Sequence, residues 1–494
     1  MNSWMKWKIS KSFFFIILGL IFLSHLPFIG ADPDRNMAVG RGPFTDEGLN
    51  TSQVRNWVNQ GELSLDECDN LLKTPLLGFP LAVTYKIFGI SHEVSRLHVL
   101  VLVFLALLLI GLDEKNRLMM MIFSLITLLQ YQVIQSSHFS MAEMMSVAAI
   151  LLSIHFFSRS FDEIGNSKLG IRQIIIAGAF LSLSYFIKIQ FIYMVPLFPM
   201  IMLIQWFRGY YENIKVFLSQ CYAMLGTILF FFLVYFLAWY LPNKQVYDFM
   251  MAHQSGELTL TPKIWEYIRF NIIYHFLKGW VQWFVYIFLA LLLAGFFMLK
   301  HSKSGRYSVM FLSSLVWFLL ELHKLAMVYL PTRYQVSLFV SMGLLISVVL
   351  NELLLWPIQR TRFLVRIIAI TTILSMITIN VYNYIDTLNH RTFAIHDANK
   401  YLAKGLKPND VVLGAWAPSF TWDSKSKAIP VWNNFLNYQD PITRFQPRAV
   451  IAEADEQDSE QAWSSQRIDL LALSDSSRTV KIGHWDVLIY WMKE

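Results

Sequence analysis

Long apolar stretches alternate with short polar ones along most of this chain, and their lengths set the first expectation. Runs near 13–29, 96–112, 118–135, 141–158, 174–187, 191–206, 216–241, 276–299, 307–328, 334–356 and 367–385 each approach the length of one membrane crossing. A helix of about 20 residues spans a hydrocarbon layer of roughly 30 Å. The pattern predicts a polytopic α-helical membrane protein with about 11 transmembrane helices. Residues 30–95 interrupt it with a long, mostly polar loop. Within that loop Leu49, Val54, Trp57 and Val58 allow a helix lying along the membrane surface, with Asp46 expected in its first turn. From Asp386 the apolar runs shorten and charge rises. A helix is expected at His396–Leu406, and strand-length runs stand at Val411–Trp416, Ala449–Ala452, Val480–Ile482 and Val487–Trp491. The organisation expected is a membrane unit over 1–385 and a small soluble α/β domain over 386–494.

Charge gives this arrangement an orientation. Lysines precede the first apolar run, and basic residues recur between alternate runs: Lys115 and Arg117, Arg159 and Arg172, Arg208 and Lys215, Arg306, then Arg360, Arg362 and Arg366. Excess Lys and Arg marks cytoplasmic loops. The amino terminus is then expected in the cytoplasm, with the 30–95 loop and the C-terminal domain on the extracytoplasmic face. The chain carries a net +7, yet residues 386–494 hold 12 Lys and Arg against 14 Asp and Glu. The positive excess therefore belongs to the loops and gives no case for nucleic-acid binding. Hydrophobic residues make up 55% of the sequence and charged ones 15%, too apolar for a soluble core to enclose. The two cysteines, Cys68 in the loop and Cys221 inside a span, are not expected to pair.

Several ionisable residues fall where that topology places the outer membrane boundary. Asp46 and Glu47 follow Gly42-Pro43; such carboxylates accept a proton from an acceptor group or hold a divalent cation, and they equally cap a helix and complement its dipole. Lys73, before Pro75, suits either a phosphate or a snorkelling interfacial role, and Arg96 at the start of the next span has the same two readings. Glu143 begins the span after Ser136-Ser137-His138-Phe139-Ser140, where a carboxylate at membrane depth costs about 2.5–3.5 kcal/mol at the centre and tends to mark function. Lys188 breaks the apolar stretch from Ile174 to Trp206 and is a second phosphate candidate, or a loop lysine between two short spans. Arg333 and Tyr334, in Leu330-Pro331-Thr332-Arg333-Tyr334-Gln335, offer a two-pronged phosphate donor and a hydroxyl, or an interfacial anchor. His138 and His253 are candidate metal ligands, although single histidines more often serve as hydrogen-bonded structural residues.

Taken in order, these residues resemble the GT-C class of polyprenyl-phosphate-dependent glycosyltransferases, specifically the protein O-mannosyltransferase and lipid A aminoarabinose transferase (ArnT-like) group. The resemblance rests on Asp46-Glu47, Lys73-Thr74-Pro75-Leu76, Arg96, Glu143, the span from Gly178 through Ser182 to Lys188, and Arg333-Tyr334. It implies transfer of a sugar from a polyprenyl-phosphate donor to a lipid, glycan or protein acceptor, with inversion at the anomeric carbon. It further implies Asp46 as the essential carboxylate, with Glu47 and Glu143 beside it, and Lys73, Arg96, Lys188, Arg333 and Tyr334 around the donor phosphate. Leu72 stands where the aminoarabinose transferases place a zinc-binding glutamate, so a divalent metal is left as an open cofactor. Gly48-Leu49-Asn50 replaces an arginine that some relatives carry after Asp-Glu. The competing expectation is a polyprenyl-linked lipid or polysaccharide transporter or flippase. That reading requires deep charges and two comparable halves, which the sequence does not display.

Overall fold

The computed structural model describes residues 9–493 apart from 35, 38–39, 163–166, 212, 255–262, 302–304, 329, 357, 434–435 and 454–456. Among the described residues, 10 helices are long and apolar enough to cross a membrane, and 11 spans result when one bent pair is counted. The bent pair corrects the uniform span expected at 118–135: Glu114–Leu128 and Tyr131–Ser137 meet at 91°. A π-helical turn over Ser124–Leu128 precedes the break, and the Gln130 side chain accepts from Val133 N (3.1 Å) to restart the second helix. Ala142–Asp162 and Thr332–Leu354 are the most enclosed spans, with 89% of their apolar windows buried, so they form the centre of the bundle. At one end of the bundle, Arg306 pairs with Asp113 (2.7 Å) and Asp162 (2.5 Å), and Lys115 reaches Asp162 (3.0 Å), tying the short basic loops together. The other end carries the loop of residues 30–95 and the C-terminal domain.

That domain is built on a five-stranded sheet: β1 Val411–Leu413, β2 Lys427–Ile429, β3 Ala449–Glu453, β4 Ser474–Ile482 and β5 Trp485–Met492, in the order β2-β1-β3-β5-β4. β1 pairs in parallel with β2 and β3, while β5 runs antiparallel to β3 and β4. The helix expected at 396–406 is Ala394–Gly405, and four of the five strands fall on expected runs. β2 was not anticipated, because three residues carry no readable alternation.

The loop helix Gly42–Gln60 lies between bundle and domain. Pro43 sits in its first turn, where a missing N–H costs nothing. The helix therefore starts four residues before Asp46, which moves that carboxylate from the expected first turn into the second and away from any capping role. Gly48 touches the domain so closely that a Cβ there would lie 2.6 Å from Pro418 C, Ser419 N and Ser419 Oγ. Asn56 completes the edge of β2 like a strand residue: its amide donates to Ala428 O (2.9 Å), and its Oδ1 accepts from Ala428 N (3.1 Å). Arg55, buried with its guanidinium 4.0 Å over the Trp422 ring, donates to Gly48 O (3.2 Å) and to Pro418 O. Asp32, just after the first span, accepts from Ala394 N (2.7 Å), Ile395 N (3.0 Å) and Thr392 Oγ1 (2.8 Å), so it caps the first helix of the domain.

Candidate active site

Four elements bring charged side chains to one point between bundle and domain. The loop helix supplies Asp46; the two central spans supply Glu143 and, at the start of the second, Arg333; the end of Ser167–Ile187 supplies Lys188, whose extended backbone leaves the helix. Arg333 Nη1 lies 2.5 Å from Asp46 Oδ2, and its Nε lies 3.8 Å from Glu143 Oε1. Lys188 Nζ reaches Glu143 Oε1 at 2.6 Å. Both cations sit over the Tyr334 ring, Lys188 at 4.5 Å and Arg333 at 4.8 Å from its centre, so the aromatic face holds them side by side. Gly42 makes room: a Cβ there would come within 2.9 Å of Arg333 Nη1 and 3.0 Å of Asp46 Oδ2. Burial pushes the Asp46 carboxyl up to about 6, with Glu143 adding to the rise and Arg333, Lys188 and Arg41 opposing it. A carboxyl raised in this way gives up its proton closer to neutrality than an exposed aspartate does.

A second buried unit supports this turn. Lys324 Nζ donates to Tyr334 O (2.8 Å) and pairs with Glu321 Oε2 (2.5 Å). The other Glu321 oxygen accepts from Tyr193 OH (2.6 Å), Trp317 Nε1 (3.1 Å) and Ser337 Oγ (2.5 Å). Neither residue was singled out from the sequence. Their available signal was an acid and a base three apart at the end of a span, which also describes ordinary interfacial charges.

Glu47 and Arg96 are seated elsewhere, and this changes the roles expected for both. Arg96 is fully enclosed: Nε and Nη2 bind Glu47 (2.9 and 2.5 Å), and Nη1 donates to Phe28 O (2.9 Å), Ile29 O (3.1 Å) and Ala31 O (2.6 Å). Glu47 also faces His92 Nε2 (3.2 Å) and accepts from Ser140 N (2.7 Å). Arg96 thus has Nε, Nη1 and Nη2 each engaged inside the protein, and Glu47 is its counterion in this structure. The pair fastens the loop helix to the segment leading into Glu143.

No protein-family model and no curated protein matches the sequence. Solved structures do match. The chain superposes on ArnT from Cupriavidus metallidurans bound to undecaprenyl phosphate with a TM-score of 0.61, 11% identity, and coverage of 97% of this chain and 98% of that one. Its fold is the GT-C fold of ArnT. The apo form of that protein gives 0.62 at 12% identity. The archaeal oligosaccharyltransferase AglB from Archaeoglobus fulgidus, in complex with an inhibitory peptide and a dolichol-phosphate, gives 0.53 at 10% identity, covering 91% of this chain and 70% of that one. The expected fold class, a GT-C-type helical bundle with a small C-terminal α/β domain, is the one found, and the chain is an integral membrane protein.

Within this GT-C fold the remaining candidates lie apart from Asp46. Lys73 pairs with Asp69 in the loop, and its charge acts on Cys68 and Tyr247, whereas the charges that act on Asp46 are those of Arg333, Glu143, Lys188 and Arg41. His138 is buried, its Nδ1 2.9 Å from Ile134 O and its ring stacked on Phe28. His253 belongs to the helix Lys244–Gln254, but its side chain lies outside the described residues. Among the described residues no three His, Cys, Asp or Glu side chains gather as a metal centre. In the charge cluster Arg333 and Lys188 lie against the two carboxylates, Asp46 and Glu143.

Proposed function

We propose that the chain is a membrane glycosyltransferase that moves a sugar from a polyprenyl-phosphate donor to a lipid, glycan or protein acceptor at the extracytoplasmic face. The observation that carries this reading is the single Arg333 guanidinium standing between Asp46 and Glu143, with Lys188 beside it. The fold shared with ArnT, and the undecaprenyl phosphate bound in that structure, support a lipid phosphate as the partner of these cations. Basic loops at the far end of the bundle support the cytoplasmic assignment of that end, and hence the extracytoplasmic assignment of the site.

The chemistry follows from the geometry. A donor phosphate competes with Asp46 for Arg333 and comes to lie against Arg333 and Lys188. Asp46, released from its ion pair, takes the proton of the acceptor hydroxyl or amine. The acceptor atom bonds to the anomeric carbon from the face opposite the phosphate, the carbon–oxygen bond to the phosphate breaks, and its electron pair leaves on the polyprenyl phosphate. Direct displacement inverts the anomeric centre. Charge growing on the departing phosphate is offset by cations fixed in advance, an effect worth about 2.7–4 kcal/mol for one well-placed donor. Proton transfer to a positioned base contributes about 10²–10⁴-fold. Glu143 keeps Lys188 and Arg333 oriented, and Tyr334 holds both from below. Lys73 lies further along the loop and is assigned to a more distant part of the donor.

The test compares wild type with Asp46→Asn in lipid, offering a panel of short-chain polyprenyl-phosphate sugars and a range of acceptors. Wild type is expected to release free polyprenyl phosphate, while Asp46→Asn binds donor and turns over at least about 10²-fold more slowly. Equal turnover removes the base role from Asp46. Donor binding by both proteins with release by neither moves the reading to a transporter.

A further inference from the structure

Outside the charge cluster, a cavity of about 280 Å³ opens on the same end of the bundle. It begins one residue from Arg333: Thr332 lines it, and the Thr332 hydroxyl donates to the Met37 carbonyl, so these two residues form the wall on that side. None of Asp46, Glu143, Lys188 or Arg333 lines it. Its walls come from five separate parts of the chain: the segment after the first span, the restart of the broken helix, the junction near Trp280, Thr332, and the end of the last span.

The side chains there combine two chemistries. Tyr131, Tyr274 and Trp280 present aromatic rings, while Asp34, Asn383 and Asp386 present carboxylate and amide groups. Tyr131 is drawn inward by its hydroxyl, which donates to Asp34 Oδ1 at 2.9 Å, and Trp280 stands edge-on to Tyr382 at 5.5 Å. An interfacial aromatic belt accounts for rings at a membrane boundary. It does not account for the two carboxylates and the amides that line the cavity with them. A sugar ring does, because its C–H face packs on an aromatic plane while its hydroxyls bind carboxylates and amides. The volume sits at the small end of the roughly 300–1,000 Å³ usual for small-molecule pockets, a fit for one ring rather than a chain. Among the described lining residues the carboxylates of Asp34 and Asp386 outnumber the one ammonium, that of Lys278, which lies 4.9 Å over the Tyr274 ring. That balance disfavours phosphate- or carboxylate-bearing ligands. Polar recognition continues past Asp34 into an adjoining cavity of about 200 Å³, faced by Gln135, which is 1% exposed and whose Nε2 has no partner among the described residues.

We propose that this cavity binds a saccharide ring without acidic substituents, as the acceptor end of the reaction. The proposal rests on the transferase reading and gives it an acceptor class. The placement suits it: Thr332, which lines the cavity, is the chain neighbour of Arg333, so a ring held there lies next to the charge cluster.

The experiment presents methyl glycosides, neutral and uronic, to wild type and Asp46→Asn protein in lipid, with binding read by saturation-transfer NMR. Neutral glycosides are expected to bind both proteins and to bind at least tenfold more weakly to Trp280→Ala and to Asp386→Asn. Both positions are exposed, at 48% for Trp280 and 62% for the Asp386 side chain, so neither change disturbs the packed interior. In turnover, the same two variants are expected to raise the acceptor KM about tenfold and to leave the donor KM unchanged. Absence of glycoside binding by wild type overturns the proposal, as does binding that both substitutions leave intact, equal binding of uronic glycosides, or an effect confined to the donor KM. Binding needs no turnover, so glycoside binding by a wild-type protein that fails to transfer separates failure of the transferase reading from failure of the saccharide site.

Discussion

Arg333 holds Asp46 at 2.5 Å through Nη1 while its Nε faces Glu143 at 3.8 Å, so one guanidinium is shared by two carboxylates from different parts of the chain. An anion arriving at Arg333 must take the place of one of them. Asp46 is the one on the loop helix, and the one whose carboxyl burial has already raised to about 6.

This gives a pH dependence with a defined sign. In the proposed role Asp46 acts ionised, so kcat/KM for the free protein is expected to rise as pH increases through about 6 and to fall below it. Once a donor phosphate draws Arg333 away, the strongest pull toward ionisation is lost, and the acidic limb of kcat is expected to lie higher than that of kcat/KM. Rate profiles at saturating and limiting donor measure the two limbs. A kcat/KM flat between about pH 5 and pH 7 removes Asp46 from the role of base.

Arg333→Lys keeps the charge and removes the fork. A lysine is a compact point charge and does not serve two carboxylates or a phosphate edge in the same way. The expected loss in kcat is about 10²–10³-fold, the size seen when one preorganised donor is removed. Lys73→Ala, away from the cluster, is expected to raise the donor KM with much less effect on kcat. Steady-state kinetics with a polyprenyl-phosphate sugar separates the two; a larger kcat loss for Lys73→Ala reverses their assignment.

Glu47→Gln tests stability. It leaves Arg96 fully enclosed without its counterion, and breaking a buried pair in this way costs about 3–5 kcal/mol. Burial alone raises the Glu47 carboxyl, but Arg96 and His92 outweigh it and hold the group well below the usual carboxylate range. A depressed folded value stabilises above the ordinary glutamate pKa of 4.5, and that contribution is lost as pH falls below it. Thermal unfolding of wild type is therefore expected to weaken on acidification below about 4.5, and Glu47→Gln to weaken less over that window. Unfolding of the two proteins with the same acid dependence assigns the effect elsewhere.

Gly48→Ala probes the seam between the loop helix and the domain. The added methyl meets the Pro418 and Ser419 backbone at 2.6 Å, and backbone atoms do not swing aside as a side chain does. Overpacking of this kind costs about 1–3 kcal/mol. Transfer is expected to fall sharply while the bundle stays assembled. Gly19→Ala, in a helix where nothing lies within 4 Å of the added atom, is the control expected to leave transfer unchanged. Limited proteolysis of the domain and turnover, measured together, show whether Gly48→Ala loosens the seam.

What the sequence revealed, and what it hid, follows from the range of each signal. Span positions were legible because about 20 apolar residues in a row have few other uses. Glu143, Lys188 and Arg333 could be placed at the outer ends of their spans, and Asp46 in the loop on that side, which brings the four to one face but not into contact. The bend at Gln130 was hidden inside a run whose composition stays apolar on both sides. Asp46 and Glu47 read as one adjacent pair, but neighbouring residues on a helix diverge by about 100°, and that angle sends one to Arg333 and the other to Arg96. Glu321 and Lys324 stayed out of sight because their importance lies in the Tyr334 carbonyl they hold, a contact with no local pattern.

Asp32 and Thr392 close a loop of 360 residues. At about 5–20 residues per second, the ribosome needs roughly 20–70 s to make the distance between them. Throughout that interval the segment from Asp32 to Asn56 has no helix to cap, no β2 edge for Asn56 and no Ser419 against Gly48. On the proposed function the protein is therefore expected to emerge inactive, with the Asp46 loop waiting on the last quarter of the chain. Any event that delays or truncates the C-terminal domain leaves a membrane bundle without a working site.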